Sequence, residues 1–152
     1  MQEKELDYQK ALCSFFKGDH YATLSGIQIE RVSEQETTVS ALVNQTHLNG
    51  NGCVQGGMLY TTADFAFAVH SNYLHPATVT QGGQITYLRP ASCKKIVATA
   101  KEIERSGHNT VAEVLVKDEE GTTLCVCHFN GFVKDVEKAS LLERYRKEGR
   151  IK

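Results

Sequence analysis

A chain of 152 residues and 16.9 kDa has room for one domain with one core, and its 41% apolar and 23% charged residues exclude disorder, collagen and coiled coil. Seventeen Lys and Arg against eighteen Asp and Glu leave a net charge of −1, which supplies no field to recruit nucleic acid or an anionic membrane. The five cysteines form no CxxC pair and the six His show no ligand spacing, so neither a disulfide framework nor a zinc site is expected.

Residues 2–17 carry Leu6, Ala11, Leu12, Phe15 and Phe16 at helical spacing and stop at Gly18, which predicts an amphipathic flanking helix. Its start is charged from Glu3 and lacks the apolar stretch of a secretory signal, so the expected location is cytoplasmic. Residues 27–32 and 38–43 read as two strands joined by the turn Ser33-Glu34-Gln35-Glu36, a hairpin. Residues 44–55 form a turn-rich loop, after which Gly56-Gly57 opens a run free of further Gly, of Pro and of every charge but Asp64. Leu59, Ala63, Ala66 and Val69 within it predict a long central helix buried on most sides. The stretch 65–88 is uncharged, yet Asn72, Gln81, Gln84, two His and Gly82-Gly83 interrupt it too often for a membrane span.

Four β-like segments follow, at 78–88, 95–104, 110–117 and 123–133, separated by ordinary turn residues. The last 19 residues hold eleven charges, seven basic and four acidic, the profile of a solvated helix over about 135–148 and a frayed tail. This order predicts an α+β fold in which one antiparallel sheet of about six strands covers a single apolar helix.

Charge is sparse from residue 37 to 101, where Asp64, Arg89, Lys94, Lys95 and Lys101 are the only Asp, Glu, Lys or Arg residues, and Asp64 is the one acid. A carboxylate in an apolar helix costs several kcal/mol, of order 2–5, unless it is paired or hydrogen-bonded. Either Thr61 or a backbone donor satisfies it, or it is a functional carboxylate. Gly56-Gly57 either lets the loop turn into the helix or opens a helix N-terminus whose free N–H groups suit an oxyanion. The pair His47 and Cys53 is a weaker candidate, a Cys/His nucleophile, and His70 and His75 are read as groups at the helix C-terminus.

The string His47-Leu48-Asn49-Gly50-Asn51-Gly52-Cys53-Val54-Gln55-Gly56-Gly57, followed by Asp64, resembles the signature of the hotdog-fold acyl-CoA thioesterases of the phenylacetic-acid-degradation (PaaI-like) type. That signature runs Asn, Gly, then His-Gly-Gly and a catalytic acid nine residues after the His. Ile85-Thr86-Tyr87-Leu88-Arg89-Pro90-Ala91 is similar to the family's strand-end Tyr-x-x-Pro segment, and the resemblance covers about residues 25–133. It implies a hotdog fold and a thioester hydrolase that needs no cofactor beyond the coenzyme A of its own substrate. It also implies site residues: Asp64 as the carboxylate that activates water or attacks the thioester, Gly56 as the N–H that polarises the carbonyl, Asn49 as a positioning group, and Thr80 as a hydroxyl that holds the water. The departure is Gln55, which stands where the family has His and which donates a hydrogen bond without carrying a charge.

Gly57 and Tyr60 are further expected at the substrate, and Arg89, Arg105 and His108, at strand ends and turns, are candidates for the CoA phosphates. Tyr60, Phe65, Phe67, Val69 and Tyr73 are expected to wall the acyl pocket, with short, medium and aromatic acyl groups all open. A non-catalytic hotdog module that binds acyl-CoA as a sensor or carrier is the alternative, and a hotdog dehydratase lacks the loop His it would require. Eight residues place Gly56 and Asp64 about 12 Å apart along one helix, whereas an oxyanion donor and a nucleophile must both lie about 3 Å from one reacting group. An obligate homodimer with two symmetric sites, or a dimer of dimers, is therefore expected.

Overall fold

The computed structural model describes residues 2–152. Along the chain come α1 (Gln2–Phe16), α2 (His20–Leu24), β1 (Gln28–Val32), β2 (Thr37–Leu42), one 3₁₀ turn (Gln45–His47) and α3 (Gly56–Leu74). Then follow β3 (Thr78–Tyr87), β4 (Lys95–Ser106), β5 (Asn109–Asp118), β6 (Thr123–Val133) and α4 (Lys138–Lys147). The strands form one antiparallel sheet in the order β1-β2-β4-β5-β6-β3, with β1 and β3 as its edges. The sheet curls around α3, the arrangement that the resemblance implies.

Strand alternation builds the concave face. Ala41, Ile96, Ala98, Ala100, Ala112, Val114 and Val116 are all buried, and the small residues among them let the central strands approach the helix closely. From α3 they meet Ala63, Ala66, Phe67 and Val69. Phe67 stacks on Phe129 of β6 with centroids 5.4 Å apart. Phe67 and Val69 are therefore core residues and not the pocket walls expected above, and Tyr73 is buried against Tyr8 of α1.

Of the helices outside the sheet, α1 is the flanking helix expected, whereas α2 and α4 differ from expectation. α1 runs antiparallel to α3, with Tyr8 Oη donating to the Asn72 carbonyl at 2.6 Å and Phe16 meeting Phe65 edge-on at 5.7 Å. It covers the C-terminal half of α3 and leaves the first turns open. The five-residue α2, capped by Asp19, is an addition that the short stretch after Gly18 did not signal. α4 is not a solvated tail: Leu141 and Tyr145 share one face four residues apart and are buried, and Ile151 folds back beneath them. Tyr145 stacks on Phe15 at 4.3 Å. The charges of this segment lie on the helix's other faces, so composition concealed a narrow apolar stripe.

His70 is a core residue with 1% exposure, and not a group at the helix end. Its Nδ1 lies 3.1 Å from Thr37 Oγ1, while Nε2 has no partner among the described residues. Burial pushes its pKa down to about 4, against an upward pull from Glu102. Between pH 6.5 and 4 the unfolded chain binds a proton that the native state refuses, so stability falls as pH drops through that window. The expected loss at pH 4 is on the order of 2–3 kcal/mol, read as the difference in urea-denaturation free energy between wild type and a non-titrating His70→Gln variant across pH 4–7. Parallel pH profiles for the two proteins would contradict it.

Candidate active site

The loop before α3 is held by its own side chains. Asn44 caps the 3₁₀ turn, His47 Nδ1 accepts from Asn44 N–H at 3.2 Å, and His47 Nε2 reaches the Ser25 carbonyl at 2.8 Å. Asn49 Oδ1 accepts from the N–H groups of Asn51 (2.9 Å) and Cys53 (3.2 Å), an Asx turn that shapes the loop and leaves its Nδ2 as the group available to a ligand. Cys53 pairs with Ser92 at 3.4 Å and not with His47, so a Cys/His nucleophile is not assembled.

At the start of α3, neither Gly56 nor Gly57 has a positive φ, so glycine is not required there by backbone conformation. Space favours it instead, firmly at Gly56 against the Tyr87 ring and weakly at Gly57, where only the movable end of the Gln55 side chain is met. A Cβ on Gly56 would lie 2.8 Å from Tyr87 Oη, and one on Gly57 would lie 2.6 Å from Gln55 Oε1. Tyr87 Oη donates to the Gly56 carbonyl at 2.9 Å, and the Gln55 side chain, as the N-cap, accepts from the Gly57 N–H. Gly57 therefore spends its N–H within the chain, whereas the Gly56 N–H has no acceptor among the described residues.

Asp64 lies two turns further along, half-buried. Its Oδ1 accepts from the Thr80 hydroxyl at 3.3 Å, a contact made by β3 and not by Thr61. Burial pushes its carboxyl up from the usual range, the Thr80 bond holds it back, and the nearby charge of Asp19 adds to the rise. Tyr60, one turn before Asp64, rests its hydroxyl on Gly83 of β3 and its ring on Phe129 at 5.4 Å, and its phenol is raised by burial and by the Asp64 charge. A side chain at Gly83 would collide with both rings, so the strand needs glycine at this point.

The remaining expected residues separate. Arg89 bonds the Thr123 carbonyl and, with Asn49, Gly56 and Tyr87, lines a cavity of about 510 Å³ beside the helix start. Arg105 and His108 are elsewhere. Arg105 bridges His75 Nδ1 (3.0 Å) and Asp135 (2.6 Å), His108 reaches Asp135 at 3.2 Å, and His75 also pairs with Glu102 at 2.6 Å. That cluster ties the C-terminal end of α3 to β4 and to the segment after β6, so within one chain neither residue adjoins Gly56 or Asp64. Phe65, unlike its neighbour Asp64, lines a separate cavity of about 680 Å³ between α1, α2 and β1. Tyr87 is a site residue to which the sequence assigns no role of its own. The one signal for its place at the site was its position in the Tyr-x-x-Pro segment.

Among the described residues no group of His, Cys, Asp and Glu is arranged to hold a metal, and no helix is long and apolar enough to cross a membrane.

A model of the thioesterase superfamily matches residues 51–125. A protein of Deinococcus radiodurans described as an esterase is 35% identical over 124 residues, covering 79% of this chain and 82% of its own. An Archaeoglobus fulgidus protein of the same description is 32% identical over 104 residues, 68% of this chain, which spans 64% of that relative's length. The acyl-coenzyme A thioesterase PaaI of Escherichia coli is 26% identical over 114 residues, covering 74% and 81%. The solved structure of E. coli PaaI, from the phenylacetic acid degradation operon, matches with a TM-score of 0.77 at 24% identity over 83% of this chain and 92% of that one, a likeness of fold.

Proposed function

The chain belongs to the thioesterase superfamily, and from that premise we propose that it hydrolyses an acyl-CoA thioester to the free acid and CoA, with Asp64 as its carboxylate. The observation that carries this reading is Asp64 itself: the lone acid of an apolar helix, raised by burial and held by Thr80 rather than neutralised by a cation. The thioester carbonyl oxygen lies against the Gly56 N–H at the positive end of α3. Asp64 then either takes a proton from a water that attacks the carbonyl carbon or adds to that carbon itself. In both cases the C–S bond breaks and CoA leaves as the thiolate, and on the second route water then cleaves the acyl anhydride on Asp64, releasing the free acid and restoring the carboxylate. Thr80 fixes the carboxylate oxygen that does not react.

Gly56 and Asp64 of one chain stand about 12 Å apart along α3 and cannot serve one carbonyl, so the site is completed by a second copy. Support comes from β3, an edge strand with exposed Val79 and with Tyr87 and Leu88 half exposed at its end. Such an unpaired edge favours pairing with another strand. Of the basic residues expected at the CoA phosphates, Arg89 alone lines the cavity next to Gly56 and is the one retained for that role.

The test follows thioester absorbance with acetyl, phenylacetyl, benzoyl, hexanoyl and lauroyl CoA, a readout indifferent to the five thiols. Turnover of at least one substrate is the expected result, and the rank order identifies the acyl class. Tight binding of acyl-CoA with no turnover of any would instead favour the non-catalytic sensor or carrier, because the position of the family's His is occupied here by Gln55.

A further inference from the structure

Two contacts bracket the first peptide of α3 from opposite sides. Tyr87 donates its hydroxyl proton to the Gly56 carbonyl at 2.9 Å, and the N–H of that same peptide, on Gly57, donates to Gln55 Oε1. The hydroxyl, the peptide and the carboxamide thus form one chain of hydrogen bonds in which each donor polarises the next. Both glycines are spaces kept open for it, since a Cβ on either would meet Tyr87 or Gln55.

The peptide whose carbonyl Tyr87 holds and polarises decides which way the carboxamide faces. Gly57 presents an N–H, so the amide oxygen must turn toward it, which leaves the Nε2 protons of Gln55 outside that contact. Those protons have no acceptor among the described residues, and neither has the Gly56 N–H.

We propose that Tyr87 is a positioning residue of this site: acting through the Gly56–Gly57 peptide, it sets the Gln55 carboxamide so that Gln55 Nε2–H and Gly56 N–H form a neutral pair of donors to the thioester carbonyl. The inference rests on the acyl-CoA hydrolase reading above. It accounts for how a residue without charge serves where the family has His. Tyr87 also lines the cavity beside Gly56, but the role assigned to it here is exerted on Gln55. It acts by holding Gln55 in the one orientation that offers a donor rather than an acceptor, and an acceptor there would repel the developing oxyanion.

The experiment is a double-mutant cycle on the full-length protein with Tyr87→Phe, Gln55→Ala and the two combined, measured with the best substrate of the acyl-CoA panel. Loss of a direct oxyanion donor lowers kcat by about 10²-fold, so Gln55→Ala is expected near that value. Tyr87→Phe is expected to lower kcat about tenfold with KM within about twofold, because the donor is present but loosely aimed. The combined variant should equal Gln55→Ala, since without the carboxamide there is nothing for the hydroxyl to set. A merely structural tyrosine would lower the rate by a factor that multiplies with that of Gln55→Ala, and that result, or a wild-type kcat in Tyr87→Phe, would overturn the proposal.

The side-chain ¹⁵N–¹H pair of Gln55 supplies a second reading that needs no turnover. It should be resolved and slowly rotating in wild type, and averaged toward the free glutamine position in Tyr87→Phe. Unchanged signals would overturn the positioning role. If wild type hydrolyses no acyl-CoA while the Gln55 pair is ordered through Tyr87, the hydrolase reading fails separately, and the ordered carboxamide is then a binding group.

Discussion

Replacing Asp64 with Asn is expected to lower kcat by about 10²–10⁴-fold on every acyl-CoA that the wild type hydrolyses, while the protein becomes more stable near neutral pH. The rate loss follows from the chemistry: an amide neither accepts the proton of an attacking water nor adds to a thioester, and general-base or nucleophilic participation contributes factors of about 10²–10⁴ or more. The gain in stability follows from the direction of the pKa shift. Burial holds the Asp64 carboxyl above its usual range, so between the unfolded and folded values the native state binds more protons than the unfolded one. Stability is therefore lost as pH rises through that window and stays lost at neutral pH, where the native carboxylate is charged and poorly solvated. Asparagine keeps the shape and the Thr80 contact without the charge.

The two effects are measured on one preparation, by thioester absorbance and by thermal unfolding at pH 4 and pH 7. The melting temperature of the variant should exceed that of wild type at pH 7 and approach it at pH 4. In wild type the rate should rise with pH through a midpoint above the ordinary carboxylate value. A variant that hydrolysed at the wild-type rate would remove Asp64 from the mechanism. One that lost activity together with stability at pH 7 would show a structural acid rather than a functional one.

The second large effect concerns the partner copy. If the oxyanion donors of one chain serve the carboxylate of the other, a Gly56→Val chain and an Asp64→Asn chain should each be inactive alone and active when mixed. In a mixed dimer, one of the two sites combines an intact Gly56 from the Asp64→Asn chain with an intact Asp64 from the Gly56→Val chain. Random reassortment of equal amounts makes about half of the dimers mixed, each with one working site of two, so about a quarter of wild-type activity is expected. Recovery requires unfolding the chains together and refolding them, because preformed homodimers exchange slowly if their interface is large. Valine at Gly56 collides with Tyr87, so circular dichroism of the variant is needed beside the rates. No recovery from two folded variants would place both functions within one chain and sink the shared site.

The sequence by itself determined the elements whose signal is local. The strands were legible because side chains alternate faces every two residues. The span of α3 was legible because a 19-residue run with a single charge has few other solutions. Asp64, Gly56 and Gln55 stood out for the same reason: they are chemically conspicuous on a short stretch of apolar chain.

What only the tertiary structure decided involves residues distant along the chain or a rotation the pattern does not specify. A helix that is apolar nearly all round has no stripe to orient it, so the sequence could not distinguish core residues such as Phe67 and Val69 from pocket walls. The partner of Asp64 is Thr80, 16 residues away on an edge strand, and the group lying on Gly56 is Tyr87, 31 residues away. Arg105, a phosphate candidate from its place in a turn, is drawn instead into an ion-pair cluster with His75 and Asp135. α4 docks through Leu141 and Tyr145 on a face that its charges obscured. In each case, two segments had to be packed together before a side chain acquired its partner, and periodicity describes one segment at a time.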